Sequence, residues 1–592
     1  EEDYEIGLKY GLDVYAPVDD DGKFTPDVDF FAGEFVFDAN DSVNKKLKEV
    51  GALLGLEEME HSYPHCWRCK NPIVFRSTEQ WFISMDKNKL RENALKAIDS
   101  VRWIPRWGRD RIYGMIENRP DWCISRQRLW GVPITVFYCE NCKNELVTKE
   151  ILDHVVDLIR EYGADVWFER EAEDLLPAGT VCPVCQGEHF AKETNILDVW
   201  FDSGVSHAAV LEKRDNLRSP ADMYLEGSDQ HRGWFHSSLL ESVGTRGRAP
   251  YESVLTHGFV VDGEGKKMSK SVGNVIDSQE IIDKYGAEIL RLWVAAEDYR
   301  SDIRISDEIL KRLVEAYRRI RNTSRYILGN LYDFDRKKDM VSYDEMEEID
   351  RWALHRLTEV TRRVRKAYDD YQFHIVYYTL YNFCTVDLSS LYLDVLKDRL
   401  YTSKAQSKAR RSAQSAMCLI LDSMVRLLSP ILTFTVEEIW DDLPDYDGKE
   451  ESVHMTQFPE VKPEYLDDGL NERWKTLISV KSEISKAIEL ARQNKIVGHS
   501  LDARVEIFAP EKLRELLEGY RDEMKTLLIV SQVDIIDKDE IKDIYQSDEF
   551  EGLKIGVSKA QGGKCERCWI YDETVGMDDK HPTICKRCLE NL

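Results

Sequence analysis

Two lysines three positions apart, Lys267 and Lys270, frame the pentapeptide Lys267-Met268-Ser269-Lys270-Ser271. An apolar run, Gly258-Phe-Val-Val261, and a turn with two glycines, Asp262-Gly-Glu-Gly265, lead into it. On such a loop the paired ammonium groups can close over a triphosphate. There they would offset the charge that builds on pyrophosphate while the α-phosphate is attacked. An isolated Lys-x-x-Lys is more often a solvated turn, so the surroundings must carry the reading. A Walker loop is excluded, because Glu264 stands where that loop requires lysine. Gly263-x-Gly265 alone is a poor dinucleotide fingerprint.

The second set of reactive groups is thiol. Ten of the 13 cysteines fall into five Cys-x-x-Cys pairs, a spacing that suits thiolate metal ligands in a reducing compartment better than disulfides. Cys565/Cys568 and Cys585/Cys588, with 16 residues between the pairs, fit a four-thiolate zinc site. Four thiolates leave no open coordination position, so the ion would be structural, ordering a tail too short to bury a core. Cys139/Cys142 and Cys182/Cys185 bracket 39 residues and are expected to close a second zinc site. Cys66/Cys69 has no remaining partner pair, and its role stays open. Cys123, Cys384 and Cys418 sit in apolar or helical settings and read as small buried hydrophobes.

These groups need a scaffold, and 592 residues at 43% hydrophobic content supply apolar material for several cores. No run approaches the roughly 18 uncharged residues of a membrane span, and Glu-Glu-Asp-Tyr is neither a basic start nor a signal core. A cytoplasmic location is the expectation. The chain opens in mid-pattern without an initiator Met and reads as a piece of a longer polypeptide. A formal charge of -28 argues against a surface that holds nucleic acid everywhere, so local basic patches would have to serve. Residues 1–45, with Glu34-Phe35-Val36-Phe37, look like the end of a β-rich domain. Residues 46–305 are mixed α/β, consistent with a Rossmann-type layer and an insertion at about 139–190. Beyond 305 the 3.6-residue period predicts helices over 309–331, 349–371, 376–396, 409–440 and 474–494. A small α/β segment (501–560) and a cysteine-rich tail (561–592) follow. The basic stretches 311–325, 362–366 and 404–411 could track a polynucleotide backbone, with Tyr371 and Phe373 free to stack on bases. Singly, each is more often a solvated face.

The full pentapeptide is similar to the signature loop of the class I aminoacyl-tRNA synthetases. Asp198-Val-Trp-Phe-Asp-Ser-Gly204, Leu225-Glu-Gly-Ser-Asp-Gln-His-Arg-Gly-Trp-Phe235, Leu255-Thr-His-Gly-Phe259 and Asp121-Trp-Cys-Ile-Ser-Arg-Gln-Arg-Leu-Trp-Gly131 resemble that family's isoleucine branch. The likeness extends over essentially the whole chain. The valine branch is the nearest rival, and a non-catalytic tRNA-binding protein is the alternative of another class.

The resemblance implies the second half of an α/β Rossmann-type catalytic core, then a connecting stem (306–345), an all-α anticodon-binding bundle (346–500) and a zinc finger. It implies ATP-dependent activation of L-isoleucine, transfer to tRNA(Ile), and magnesium accompanying ATP. Lys270 would contact ATP and stabilise the leaving pyrophosphate, with Lys267 and Ser269 assisting. Glu226, Asp229 and Gln230 would bind the aminoacyl-adenylate, Gly227 would let it approach the backbone, and His257 belongs to the same binding set. Trp200 and Trp234 would wall the side-chain pocket, although most tryptophans simply pack in cores. Arg126 and Arg128 lie near these motifs, and contact with the acceptor end of tRNA is the expectation from that position. The family's other nucleotide signature, an HIGH-type tetrapeptide, is expected upstream, and this piece alone is expected to be inactive. Asp3-Tyr4 matches the end of an editing-domain motif, with Asp3 gripping the ammonium of a misacylated residue. One missing methylene is worth only about 1–3 kcal/mol, and the isoleucine enzyme is the known case in which that shortfall requires a second, hydrolytic sieve. The expected assembly is a monomer.

Overall fold

The computed structural model describes residues 2–66, 69–269, 273–538 and 544–592, with backbone alone for Glu2, Asp3 and Ile544. They form two compact units, one ending at Leu255 and one beginning at Thr256.

In the first unit, the opening residues are less strand-like than their sequence suggests. The described part has helices Glu2–Tyr10 and Ala39–Glu49, and only isolated bridges, Val18 with Phe24 and Lys23 with Phe35. The apolar alternation there is too short to bury a face, and Phe30 is 74% exposed. The α/β layer begins later. Strand Ser253–His257 lies between Arg102–Ile104 and Tyr224–Gly227. It runs parallel to Arg102–Ile104, with Val254 opposite Trp103. From Tyr224–Gly227 the chain passes through helix Trp234–Arg246 into the neighbouring strand, which is a βαβ crossover. That helix is buried from Phe235 to Val243 without interruption, so it shows no amphipathic stripe. Phe235, Leu239 and Val243 pack with Ile98, Trp103, Ile112, Tyr251 and Val254.

The insertion is a small domain of its own. Strand Phe137–Cys139 pairs antiparallel with Glu145–Leu146 and Phe190–Lys192. Thr148 caps helix Lys149–Tyr162 by accepting from the Ile151 N–H, and Phe137, Val155, Trp167 and Leu175 fill the core.

In the second unit, a short parallel pair, Val260–Val261 with Ile303–Arg304, brackets helices Ser278–Tyr285 and Ala287–Ala296 and precedes the long helices. Helices Asp307–Gly329, Glu348–Asp369 and Asp468–Gln493 follow the apolar periods of the sequence. The 376–396 period belongs to a longer helical run, Phe373 to Thr402, whose middle (Phe383–Tyr392) is π-helical. The 409–440 period splits into Lys408–Leu428 and Thr433–Asp442. Pro430 lies in the gap, where its missing N–H and its ring would break a continuous helix. One network holds the bundle centre: fully buried Asp350 accepts from Tyr392 Oη (2.8 Å), Arg399 (2.7 Å) and Ser412 Oγ (2.5 Å).

The chain then forms a four-stranded sheet in the order Gln532–Ile535, Ala503–Phe508, Lys554–Lys559, Ile544–Gln546. Alternate residues of Ala503–Phe508 are buried, as expected of a strand with one covered face.

Candidate active site and thiolate clusters

Strand Tyr224–Gly227 ends in a 3₁₀ turn, Ser228–Arg232, before helix Trp234–Arg246 starts. Glu226 is therefore delivered to the carboxyl end of a strand in a parallel layer, where open α/β sheets bind ligands. It is exposed and makes no hydrogen bond or ion pair with the described residues. Gly227 has φ −69°, so its backbone conformation alone does not demand glycine.

The turn orders its own polar groups. Gln230 Oε1 accepts from the Trp234 N–H (3.0 Å), and its Nε2 donates to Asp229 Oδ2 (3.0 Å). Trp234 stacks on Tyr224 with ring centroids 3.9 Å apart, and its indole N–H donates to Ser203 O and Ser206 Oγ. The half-buried ring is thus fixed as a wall. Asp198 caps helix Val199–Gly204 by accepting from the Trp200 N–H (3.2 Å), and Trp200 remains 42% exposed. Gly233 brings these groups together: a Cβ there would lie 2.7 Å from Gln230 Oε1 and 2.8 Å from the Trp200 ring. Trp200, Asp229, Gln230 and Trp234 are therefore neighbours, with Glu226 and Gly227 leading into the turn. Gly233 stands inside the Leu225–Phe235 motif, but the sequence marks its role only by a glycine directly before the helix-starting tryptophan.

Behind this wall, Glu241 packs its carboxyl against Gly204, where a Cβ would fall 2.4 Å from Oε1. Neither carboxyl oxygen has a partner. Burial, then the charge of Asp202, push its pKa up to about 9, so it is protonated at neutral pH.

His257 and the lysine loop belong to the second unit. His257 Nδ1 lies 2.7 Å from Gly258 O. At Gly258 a Cβ would fall 2.3–2.5 Å from the backbone of Ser301 and Asp302, which cannot move aside as a side chain can. The loop is stapled by Asp262, the first residue of its leading turn, and by Asn274, which no motif singles out. Asn274 donates to Asp262 Oδ2 (2.9 Å) and Lys267 O (3.3 Å), while its Oδ1 accepts from the Ser269 N–H (2.9 Å). Asp262 Oδ1 in turn accepts from the Glu264 and Lys266 N–H groups. The Asn274 bond, then those N–H donors, hold the Asp262 carboxyl below its usual pKa range. Lys267 is exposed and makes no ion pair with the described residues. Lys270 lies outside the described residues, as does the side chain of Asp3.

The two expected thiolate sets converge. Sγ atoms of Cys139, Cys142, Cys182 and Cys185 lie within 4.8 Å of one another, and so do those of Cys565, Cys568, Cys585 and Cys588. Tetrahedral Zn–S bonds of about 2.3 Å require S···S near 3.8 Å, and the sets contain pairs at 3.4 Å (Cys139–Cys185), 3.6 Å (Cys142–Cys182) and 3.7 Å (Cys568–Cys585). Both sets fit zinc by donor chemistry and spacing. The Cys185 N–H and then the Val184 N–H help bring the Cys182 pKa down to about 7 against the cost of burial, whereas Cys142 and Cys185 are raised, so without an ion the crowded thiols do not ionise alike. Cys66 and Cys69 join neither set among the described residues. The second set docks on the bundle: Arg587 forks onto Asp398 (2.5 and 2.8 Å), and Arg567 donates to Thr402 O (2.9 Å). Trp569 is 62% exposed beside it.

The basic stretches divide sharply. Arg410 and Arg411 are buried against Asp333 and Asp339 and cannot face a polynucleotide. Lys311, Arg312 and Arg318 pair with acids of their own helix, whereas Arg319, Arg321 and Arg325 are exposed without ion pairs to described residues. Phe373 packs on Tyr299 and Tyr368 rather than standing free. No described helix is long and apolar enough to cross a membrane.

Residues 24–306 match the model of "tRNA synthetases class I (I, L, M and V)". Residues 350–507 match the "anticodon-binding domain of tRNA ligase", and residues 562–591 the "zinc finger found in FPG and IleRS". The chain is 60% identical over 593 aligned residues to a protein of Syntrophotalea carbinolica named isoleucine–tRNA ligase, covering 100% of this chain and 64% of that protein. It is 60% identical to a protein of the same name from Geobacter sulfurreducens, covering 99% of this chain and 63% of that one. The chain thus spans slightly less than two thirds of the length of these relatives.

Proposed function

The chain belongs to the class I aminoacyl-tRNA synthetases, and from that premise we propose that the whole protein is an isoleucine–tRNA ligase. The observation that carries this reading is the cluster of Trp200, Gln230 and Trp234 around Gly233 beside the free carboxylate of Glu226. Two indoles, one pinned and one half-exposed, make an apolar wall for an aliphatic side chain. A carboxylate at the strand end suits the α-ammonium of an amino acid or a ribose hydroxyl. Relatives at 60% identity named for isoleucine favour isoleucine over valine.

In this mechanism the amino-acid carboxylate attacks the α-phosphate of magnesium-bound ATP. Asp229, Gln230, Gly227 and His257 hold the adenylate, and Lys267, Ser269 and Lys270 offset the charge of departing pyrophosphate. Positioning and charge neutralisation carry the rate, because no covalent nucleophile is needed. The aminoacyl group then passes to tRNA(Ile), which the helical bundle and zinc finger bind. Asp3 belongs to the editing pocket that clears valine. The protein works in the cytoplasm as a monomer with two structural zinc ions.

The test is isoleucine-dependent ATP/pyrophosphate exchange by the full-length protein, with Glu226→Gln and Lys270→Ala alongside. Both variants should lose exchange by about two orders of magnitude, the scale of one well-placed electrostatic contact. Tight tRNA binding without exchange by the unaltered protein, or more efficient exchange with valine, overturns the reading.

A further inference from the structure

Sharing Trp200 and Gly233 with the proposed amino-acid pocket lies a cavity of about 290 Å³ whose cationic lining has no role in the reaction above. Arg119, Arg126, Arg232, His236 and Ser237 contribute to its lining. Arg126 is fully engaged, with Asp198 at 2.7 Å and the Cys123 and Ser125 carbonyls. Arg119 and Arg232 make no ion pair with the described residues. Half-buried Arg119 lies over the Trp122 ring face, 5.4 Å from its centroid, and feels the charge of Asp198 without pairing with it, while its buried Nε has no partner. Asp121, the other acid in the wall, is turned to the Met85 N–H at 2.8 Å. His236 and Ser237 are 3% and 4% exposed, and both His236 Nε2 and Ser237 Oγ lack a partner. Both belong to the first turn of the 13-residue helix Trp234–Arg246, whose amino end carries positive partial charge.

Water could satisfy an imidazole and a hydroxyl in such a space, but it cannot neutralise a desolvated guanidinium. An oxyanion satisfies all of these groups together. We propose that this cavity is a phosphate site, in which Arg119 and Arg232 supply charge and Ser237 and His236 supply hydrogen bonds. The ligand chemistry is that of a phosphate ester or free phosphate. Its place beside Trp200 and Gly233 favours a backbone phosphate of the polynucleotide that receives the aminoacyl group, an attribution that rests on the ligase reading. His236 is suited to the task because burial, then the nearby charges of Arg119 and Arg232, bring its pKa down to about 3, leaving a neutral ring.

Full-length protein is labelled with phenylglyoxal, with and without millimolar inorganic phosphate or tRNA(Ile), and reaction at Arg119 and Arg232 is read by peptide mass. Both ligands should slow the labelling. Arg119→Gln should weaken tRNA binding about three- to tenfold and flatten its log–log salt slope by about 1, with isoleucine-dependent exchange retained and affinity partly restored by Arg119→Lys. Ser237→Ala provides a second, milder lesion should Arg119→Gln fail to fold. Protection by inorganic phosphate alone, with tRNA affinity unchanged in Arg119→Gln, keeps the phosphate site and overturns the polynucleotide. Protection by neither ligand overturns the site. Absence of exchange in the unaltered protein overturns the ligase reading, while the inorganic-phosphate result still decides the site.

Discussion

Helices Trp234–Arg246 and Lys408–Leu428 are both buried almost all round, and both carry polar residues at buried positions. In the second, Arg410 forks onto Asp333 (2.6 and 3.0 Å), Ser412 donates to Asp350, Gln414 donates to Asn330 O and Asp333, and Ser415 accepts from the Val341 N–H. Along this helix the described buried side-chain atoms without a partner are two guanidinium Nε atoms, of Arg411 and Arg426, and each of those side chains is held through its other nitrogens. In the first, His236 Nε2, Ser237 Oγ and both Glu241 oxygens are all unmatched. A buried polar group left unmatched costs about 1–3 kcal/mol, and folds accept that cost where polar groups await something other than their own chain. The bundle helix uses polarity to specify packing, and the core helix holds polarity in reserve beside the proposed ligand sites.

The contrast can be broken most forcefully at Asp350. Asp350→Ala should destabilise the bundle by about 3–5 kcal/mol, because Arg399 would be left buried and unpaired. Urea unfolding followed by tryptophan fluorescence reads the loss, and a value below 1 kcal/mol would show that the network is ornamental. Next comes Gly258→Ala, whose Cβ meets immovable backbone at Ser301 and Asp302. An overpacking cost of about 1–3 kcal/mol is expected, measured by the same unfolding curve.

Glu241 offers a pH test. Its folded pKa of about 9 exceeds the ordinary carboxyl value of 4.5, so between those values the folded chain holds a proton that the unfolded chain has lost. Stability should therefore fall as pH rises, by at most about 1.4 kcal/mol per unit. His236 works the other way. Its folded pKa of about 3 lies below 6.5, so its contribution is present above 6.5 and fades as pH falls toward 3. The two slopes oppose between 4.5 and 6.5, and only that of Glu241 persists above. Glu241→Gln should flatten the alkaline limb of the first unit's pH–stability curve, and an unchanged limb would place the carboxyl in water. The smallest effect belongs to the surface: Lys366→Ala, which removes the exposed pair with Asp370 (2.7 Å), should change stability by less than about 0.5 kcal/mol.

The bundle helices were largely legible in sequence because each has one apolar face with a 3.6-residue period. Legibility failed at Pro430, where one apolar rhythm continued across a real break, and along Trp234–Arg246, where burial on all sides erases the period. The thiolate sets were readable because Cys-x-x-Cys spacing is almost the whole geometry of half a zinc site. The turn after Glu226 was only half readable. Residue types announced Glu226, Gln230 and the tryptophans, but Gly233 matters for what its missing Cβ permits. Asn274, likewise, is an ordinary loop residue until the chain folds back and sets it against Asp262 and Ser269.

The fork between Arg587 and Asp398 has a mechanical meaning. Arg587 lies between Cys585 and Cys588, so its reach to the bundle is set by the same short helix that presents those two thiolates. A chelator that strips the zinc proposed for this cluster would therefore slacken a clasp on the helix carrying Asp398, and a spectroscopic probe placed on that helix would register metal loss from a neighbouring subdomain.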